Sequence, residues 1–269
     1  MKIIAYCVLV LLMSCSGKNS SDDQRKSIEM VTTKGTIVLD LYNETPLHRD
    51  NFIKLAKEAA FDSLLFHRVI QNFMIQAGDP DSKYAQPGDT LGNGDRKYTV
   101  PAEFRQNLFH KKGVLAAARD GNPERASSAM QFYIVQGRIF NDSTLDRAEK
   151  RINGWLAQHY SYKDPANKSL VDELKAAEDN KDNERSKMLR DSLRNIAKSF
   201  TDFAHYIIPD DQREVYKTIG GTPHLDQNYT VFGEVTSGLA VVDSIAAVKT
   251  NSLDRPLEDV RILSVRVMN

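Results

Sequence analysis

A succession of short apolar segments set between turns constrains this chain most. Residues 28–42 alternate, with Ile37, Leu39 and Leu41 sharing one face and Thr33-Lys34-Gly35 forming the turn before them. Further strand-like segments cover residues 65–70, 73–78, 114–118, 132–136, 230–235 and 260–267. Few helices accompany them. Thr45-Pro46 makes an N-cap and first-turn proline pair, and Phe52, Leu55, Ala56 and Ala59 follow at helical spacing. Residues 239–247 read as a second short helix. Many short strands with two helices bury their apolar faces best by curling one antiparallel sheet on itself. The expectation is therefore a mainly β fold with α, built on a closed antiparallel sheet.

Residues 139–222 break that pattern. Ser143-Thr144-Leu145-Asp146 has the form of a capping box, and Leu145, Ala148, Ile152, Trp155, Leu156 and His159 continue at helical spacing. A cap at residues 169–172 predicts a second helix carrying Leu170, Leu174 and Ala177. The longest helix is expected over residues 184–203, and residues 211–214 resemble another box before Val215 and Ile219. Charges of both signs cover the other faces. This reads as a helical hairpin or small bundle inserted into a surface loop and packed as its own unit, since closure entropy grows slowly with loop length. Trp155, the single tryptophan, would then report on that unit and not on a site in the sheet.

The densest chemistry lies in Phe66-His67-Arg68-Val69-Ile70-Gln71-Asn72-Phe73-Met74-Ile75-Gln76-Ala77-Gly78-Asp79-Pro80. An arginine among such apolar neighbours is costly to bury unless it has partners or a task. Downstream stand Gln131-Phe132-Tyr133 and Leu225-Asp226-Gln227-Asn228-Tyr229-Thr230-Val231-Phe232-Gly233. Taken singly, Phe73, Met74, Phe132 and Leu225 read as core, Arg68 as half of an ion pair, and His67 and His224 as structural or surface histidines. Taken together and in order, they resemble the cyclophilin family of peptidyl-prolyl isomerases, whose signatures run F-H-R-x-x-x-x-F-M-x-Q-x-G-D and L-D-G-x-[HY]-x-V-F-G.

The resemblance covers residues 28–138 and 223–269, on either side of the 139–222 insertion. It implies a closed eight-stranded barrel with a helix at each open end, acting on X-Pro bonds of proline-containing polypeptides. Arg68 would be the catalytic donor, and Phe73, Met74 and Leu225 the walls of a proline slot. Gln76, Ala118, Arg119 (through its backbone) and Gln131 would grip the substrate chain. Tyr133, His224 and Tyr229 would touch substrate where the family usually has phenylalanine, tryptophan and histidine. No cofactor or covalent intermediate is implied. The six histidines show no metal-ligand spacing, so no metal site is expected. The glycine-rich segment 88–95 lacks the lysine of a phosphate loop and reads as a turn-rich loop beside the barrel.

Lysine plus arginine equals aspartate plus glutamate, 36 against 36, so charge gives no footprint of a nucleic-acid partner. No apolar stretch reaches the roughly 20 residues of a membrane span. At the start, Lys2 precedes an apolar run over residues 3–13 with the layout of a signal peptide. It ends in Leu12-Met13-Ser14-Cys15, which resembles a bacterial lipobox. That resemblance implies a leader over residues 1–14, lipid on Cys15, a flexible tether over residues 15–27, and anchorage in the bacterial cell envelope. The outer membrane is the expected site, with the protein facing periplasm or surface. Cys7 would leave with the leader, so the mature chain could form no internal disulfide. The insertion is expected to bind a protein partner of its own. The rival reading is a binding module: a chaperone or adaptor that holds proline segments with little turnover, its partner chosen by the insertion.

Overall fold

The computed structural model describes residues 24–268. The expected leader, Cys15 and most of the expected tether lie outside the described residues. Strand β1 (Lys26–Thr32) already begins inside the expected tether, because Lys26 and Ser27 pair with Leu41 and Asp40 of β2 (Gly35–Leu41). Ile28, Met30, Ile37, Leu39 and Leu41 are fully buried at alternate positions, as a half-buried hairpin requires. Helix α1 (Pro46–Lys57) follows, with Pro46 in its first turn and Phe52, Leu55 and Ala56 facing inward. Thr45 occupies the N-cap position, but its hydroxyl makes no capping bond.

The remaining strands are β3 (Arg68–Ile70), β4 (Met74–Ala77), β5 (Thr99–Val100), β6 (Val114–Ala117), β7 (Ser127–Ser128), β8 (Phe132–Val135), β9 (Val231–Ser237) and β10 (Ile262–Val267), with helix α6 (Leu239–Ala246) before the last. Eight of the ten strands form one antiparallel sheet in the order β10-β1-β2-β9-β6-β8-β4-β3, while β5 and β7 pair separately. The sheet curls but stays open, which corrects the expected closed barrel. Its edge strands β3 and β10 form no ladder with each other. It is the segment before β3 that meets the β10 side, through a bridge between Leu65 and Arg261 and backbone bonds of residues 63–66 with Val260 and Ile262. The loop before β10 takes the place of a strand there: the Val69 amide donates to the Asp254 carbonyl at 2.8 Å.

The central strands β4, β6 and β8 bury both faces, which is why they read as continuous apolar runs. Ile75, Ala77, Leu115, Ala117, Phe132 and Ile134 point into the main core with α1 and α6 residues. Met74, Val114, Ala116, Tyr133 and Val135 point to the opposite face and form a second cluster with Leu225 and Val231.

Between β8 and β9 lie helices α2 (Asp142–Lys163), α3 (Lys168–Asp179), α4 (Asn183–Ser199) and α5 (Asp210–Thr218). The capping box of α2 uses Asn141 with Thr144, two residues earlier than the spacing suggested, and α3 and α5 have no side-chain cap. Helix α4 stops at Ser199, leaving Phe200 and Phe203 in the following loop. These helices do not form one separate unit. Val171, Leu174, Ala177, Leu189 and Leu193 make a cluster of their own between α3 and α4. Leu145, Ile152 and Tyr216 instead pack with Phe109 from the loop before β6, which fuses α2 and α5 to the sheet. Among the described residues, no helix is long and apolar enough to cross a membrane.

Candidate active site

Strand register assembles the site on the second apolar cluster's face. Arg68 on β3 pairs with Gln76 on β4, Gln76 with Tyr133 on β8, and Tyr133 with Ala116 on β6. Residues two apart on a strand share a face, so Met74 joins Gln76. Phe73 enters from the turn between β3 and β4, which Asn72 makes with φ +63°. Leu225 comes from the short turn Pro223–Leu225, against which α2 packs. Together Arg68, Phe73, Met74, Gln76, Ala118, Arg119, Tyr133, Leu225 and Tyr229 line a cavity of about 350 Å³.

The guanidinium of Arg68 is held by two contacts. Its Nη1 donates to Gln76 Oε1 at 3.4 Å, and its Nε lies 3.5 Å from Asp254 Oδ2. With the side chain 43% exposed, the fork stays open toward the cavity. Gln131 does not line the cavity. It sits behind Gln76, accepting from Gln76 Nε2 at 3.0 Å and donating to the carbonyls of Gly92 and Gly94 at 2.9 and 2.8 Å. That arrangement fixes the Gln76 amide with its oxygen toward Arg68. His224 also stands off the cavity, stacked on Phe73 with ring centroids 5.6 Å apart. Burial, with Arg151, His110 and Arg138 nearby, lowers its pKa to about 4, so the ring that stacks is neutral. The side chain of Arg119 is committed to Asn228, donating to its carbonyl at 2.8 Å and to its Oδ1 at 2.7 Å, while the guanidinium covers the Tyr229 ring.

Tyr133 presents its ring to the cavity and its hydroxyl to a buried chain. The hydroxyl donates to His110 Nε2 at 2.9 Å, His110 Nδ1 donates to Asp226 Oδ1 at 2.8 Å, and the Tyr216 hydroxyl donates to Asp226 Oδ2 at 2.7 Å. Burial, together with Tyr229 and Asp226, raises the Tyr133 phenol well above its ordinary pKa. A tyrosine therefore fits where phenylalanine is usual, because its one polar atom has a partner.

The family model for cyclophilin-type peptidyl-prolyl cis-trans isomerases matches residues 27–161 and 201–267. This chain belongs to the cyclophilin family. Proteins named for peptidyl-prolyl cis-trans isomerase activity from Staphylococcus aureus (strain USA300) and Staphylococcus haemolyticus (strain JCSC1435) are 28% and 27% identical to it. The alignments cover 89% of this chain and 90% of the first relative, and 91% and 92% for the second. Its fold is similar to the crystal structure of a Cryptosporidium parvum cyclophilin-type isomerase, with a TM-score of 0.53 at 14% identity, covering 91% of this chain and 99% of that one. A structure of the same protein in the presence of the dipeptide Ala-Pro gives a TM-score of 0.52 at 14% identity, covering 90% and 99%.

Several parts of this cyclophilin's pocket escaped sequence reasoning. Leu91, Gly92 and Asn93 of the glycine-rich loop form one wall, and Leu253 forms another. The loop is pinned by the fully buried Asp79, whose carboxylate accepts from the Gly92 amide. At position 94 any Cβ would lie 2.2 Å from Asp79 Oδ1, and Gly78 has φ +97° with Met130 O equally close. The Gly78-Asp79 pair followed by a glycine-rich loop was the available signal. Asp254 had none, since only the sheet's open edge brings it to Arg68. Trp155 packs against the Met74, Tyr133 and Leu225 cluster. Trp155 is thus packed beside the site and not only within the helices, contrary to the sequence expectation, and its emission should respond to changes there.

His67 borders the cavity, 4% exposed, and neither ring nitrogen has a hydrogen-bond partner in the protein. Burial lowers its pKa to about 4, with Asp79 opposing the shift and Arg68 adding to it. An unfolded histidine titrates near 6.5, so the folded state prefers the neutral ring. Its contribution is complete above about pH 6.5 and is lost as pH falls toward about 4, by roughly 3 kcal/mol. Urea unfolding at pH 7 and pH 4.5 should show this loss in the wild type and a smaller one in His67→Phe. An equal loss in both would assign the acid sensitivity to other groups.

Proposed function

We propose that this cyclophilin catalyses cis/trans rotation of X-Pro bonds in bacterial envelope or secreted proteins, with no cofactor and no covalent intermediate. The observation that carries this reading is the row Arg68–Gln76–Tyr133 standing over an apolar slot of Phe73, Met74 and Leu225. Rotation about a peptide bond faces roughly 18–20 kcal/mol because C–N resonance is lost in the twisted state. For X-Pro the two ground states lie close in energy, yet uncatalysed exchange takes about tens to hundreds of seconds. Only contacts stronger in the twisted state than in the planar one raise the rate. In the twisted state the prolyl nitrogen regains a localised lone pair. An always-charged, forked guanidinium donates to it, while the apolar walls hold the ring. Gln76, with Gln131 behind it, keeps that donor aimed. The Ala-Pro dipeptide present with the Cryptosporidium relative supports proline-containing polypeptides as substrates.

Exchange spectroscopy on a short proline peptide tests the reading. Substoichiometric protein should speed cis/trans exchange many-fold. Shifted peptide signals with unchanged exchange would identify a proline-binding module instead.

We also propose that Cys15 carries lipid and anchors the protein in the cell envelope, at the outer membrane. Support comes from the Leu12-Met13-Ser14-Cys15 resemblance and the polar segment after it. Stable anchoring takes more than one acyl chain. Fractionation and mass spectrometry should find wild-type protein acylated in membranes and Cys15→Ser either soluble or uncleaved. An unmodified, soluble wild-type chain would overturn this.

A further inference from the structure

A second cavity, larger than the proline pocket at about 530 Å³, opens where the helices meet the sheet. Its walls are the loop after β6 (residues 119–125), the outer side of α2, and the α3–α4 hairpin. It shares Arg119 and Tyr229 with the proline pocket, so the two cavities lie side by side.

The groove's chemistry is cationic and aromatic. Arg125 donates from Nη1 to the Gln227 carbonyl at 2.8 Å and lies over the Phe104 ring, while its buried Nε has no hydrogen-bond partner. Among the described residues, neither Arg119 nor Arg125 has a carboxylate within ion-pair distance. The local carboxylates are largely taken: Glu178 pairs with Arg190 at 3.0 Å, and Glu124 pairs with Lys163 at 2.9 Å. Asp120 is exposed at the rim. Trp155, Tyr162 and Tyr229 supply broad ring surfaces between these charges. The same positive surroundings act on His159, whose pKa falls to about 4 through burial, then Arg125 and Lys163.

We propose that this groove is a second subsite, beside the proline pocket, that takes an acidic stretch of the polypeptide flanking the proline. This rests on the isomerase reading of the pocket. Arg125, with no carboxylate partner among the described residues and a single hydrogen bond from Nη1, gains charge-assisted hydrogen bonds from an incoming Asp or Glu side chain. Arg119, held by Asn228 and the Asp120 carbonyl, adds positive charge to the groove. The aromatic walls take up the substrate's apolar parts. An extended chain advances about 3.3 Å per residue, so a few residues beyond the proline reach the groove. The helices between β8 and β9 thereby select substrates by charge.

The test uses the full chain and two peptides of equal length with one central Ala-Pro, flanked on both sides by glutamates or by glutamines. Trp155, in the groove wall, is the single tryptophan, so its emission follows binding directly. The glutamate peptide should bind about tenfold more tightly at low salt, and the gap should narrow at high salt. Arg125→Gln should reduce the gap to about twofold or less. Gln158→Glu should act in the same direction, because Gln158 is exposed on the groove wall and its replacement adds a negative charge without disturbing packing. Equal affinities in the wild type, or a gap untouched by both substitutions, would overturn the subsite. Exchange rates measured on the glutamine peptide judge the isomerase reading separately, since the affinity comparison does not depend on turnover.

Discussion

Replacing Arg68 with alanine should lower kcat/KM on a proline peptide by about 10²–10³-fold, the usual effect of removing one preorganised donor. The fold should survive. Arg68 is 43% exposed, sits on an edge strand, and contacts only Gln76 and the similarly exposed Asp254 through its guanidinium, so its removal strands no buried charge. Circular dichroism and a thermal melt close to wild type would show this, and exchange spectroscopy would read the rate. Arg68→Lys should recover only part of the loss, because an ammonium keeps the charge but not the planar fork. A folded Arg68→Ala protein with near-normal turnover would remove Arg68 from the mechanism.

Deleting all four helices and deleting only the outer pair should have opposite outcomes. Removal of residues 141–219 takes away Tyr216, which is fully buried against Phe109 and donates to Asp226. Asp226 is buried and holds His110, which in turn holds the pocket's Tyr133. A buried carboxylate left one partner short costs about 1–3 kcal/mol. Stripping an aromatic of this size from a core costs a further ~3–5 kcal/mol. Losses of that order consume much of a domain's stability of roughly 5–15 kcal/mol, so the shortened chain should melt at low temperature or aggregate. Removing residues 168–199 takes away the α3–α4 cluster, whose buried members all come from those two helices and which rests on α2 through Tyr162, not on the sheet. Bridging that gap with a flexible linker should keep the sheet, the buried chain from Tyr216 to Tyr133, and turnover of a short peptide within a few-fold. The family match agrees with this division, since it passes over residues 162–200. A cooperative melt and normal activity after the larger deletion would show that α2 and α5 are dispensable.

The sequence by itself determined the eight strands of the main sheet, the presence of the helices and most of the pocket, but not the two-residue strands β5 and β7, which are too short to carry a pattern. Alternation in β1 and β2, and the continuous apolar runs of β4, β6 and β8, follow from which faces are buried, and that is a local property of the residues. The signature around Arg68 carried the pocket because β3, a tight turn and β4 are consecutive, so residue spacing translates directly into register. The exact helix starts were less legible: Asn141 was passed over for Ser143 because both can cap, and only backbone direction chooses between them. Tertiary structure alone decided that the sheet stays open, because its closure depends on how the loop carrying Asp254 lies between distant edges. It also placed Gln131 behind the cavity, since burial and hydrogen bonds to Gly92 and Gly94 set its orientation. It turned the Tyr133 hydroxyl toward His110, and it set Trp155 and the α3–α4 hairpin around a cationic groove beside the site. Each of these joins residues far apart in the chain through side-chain packing, and no short-range pattern encodes which distant partner a side chain will meet.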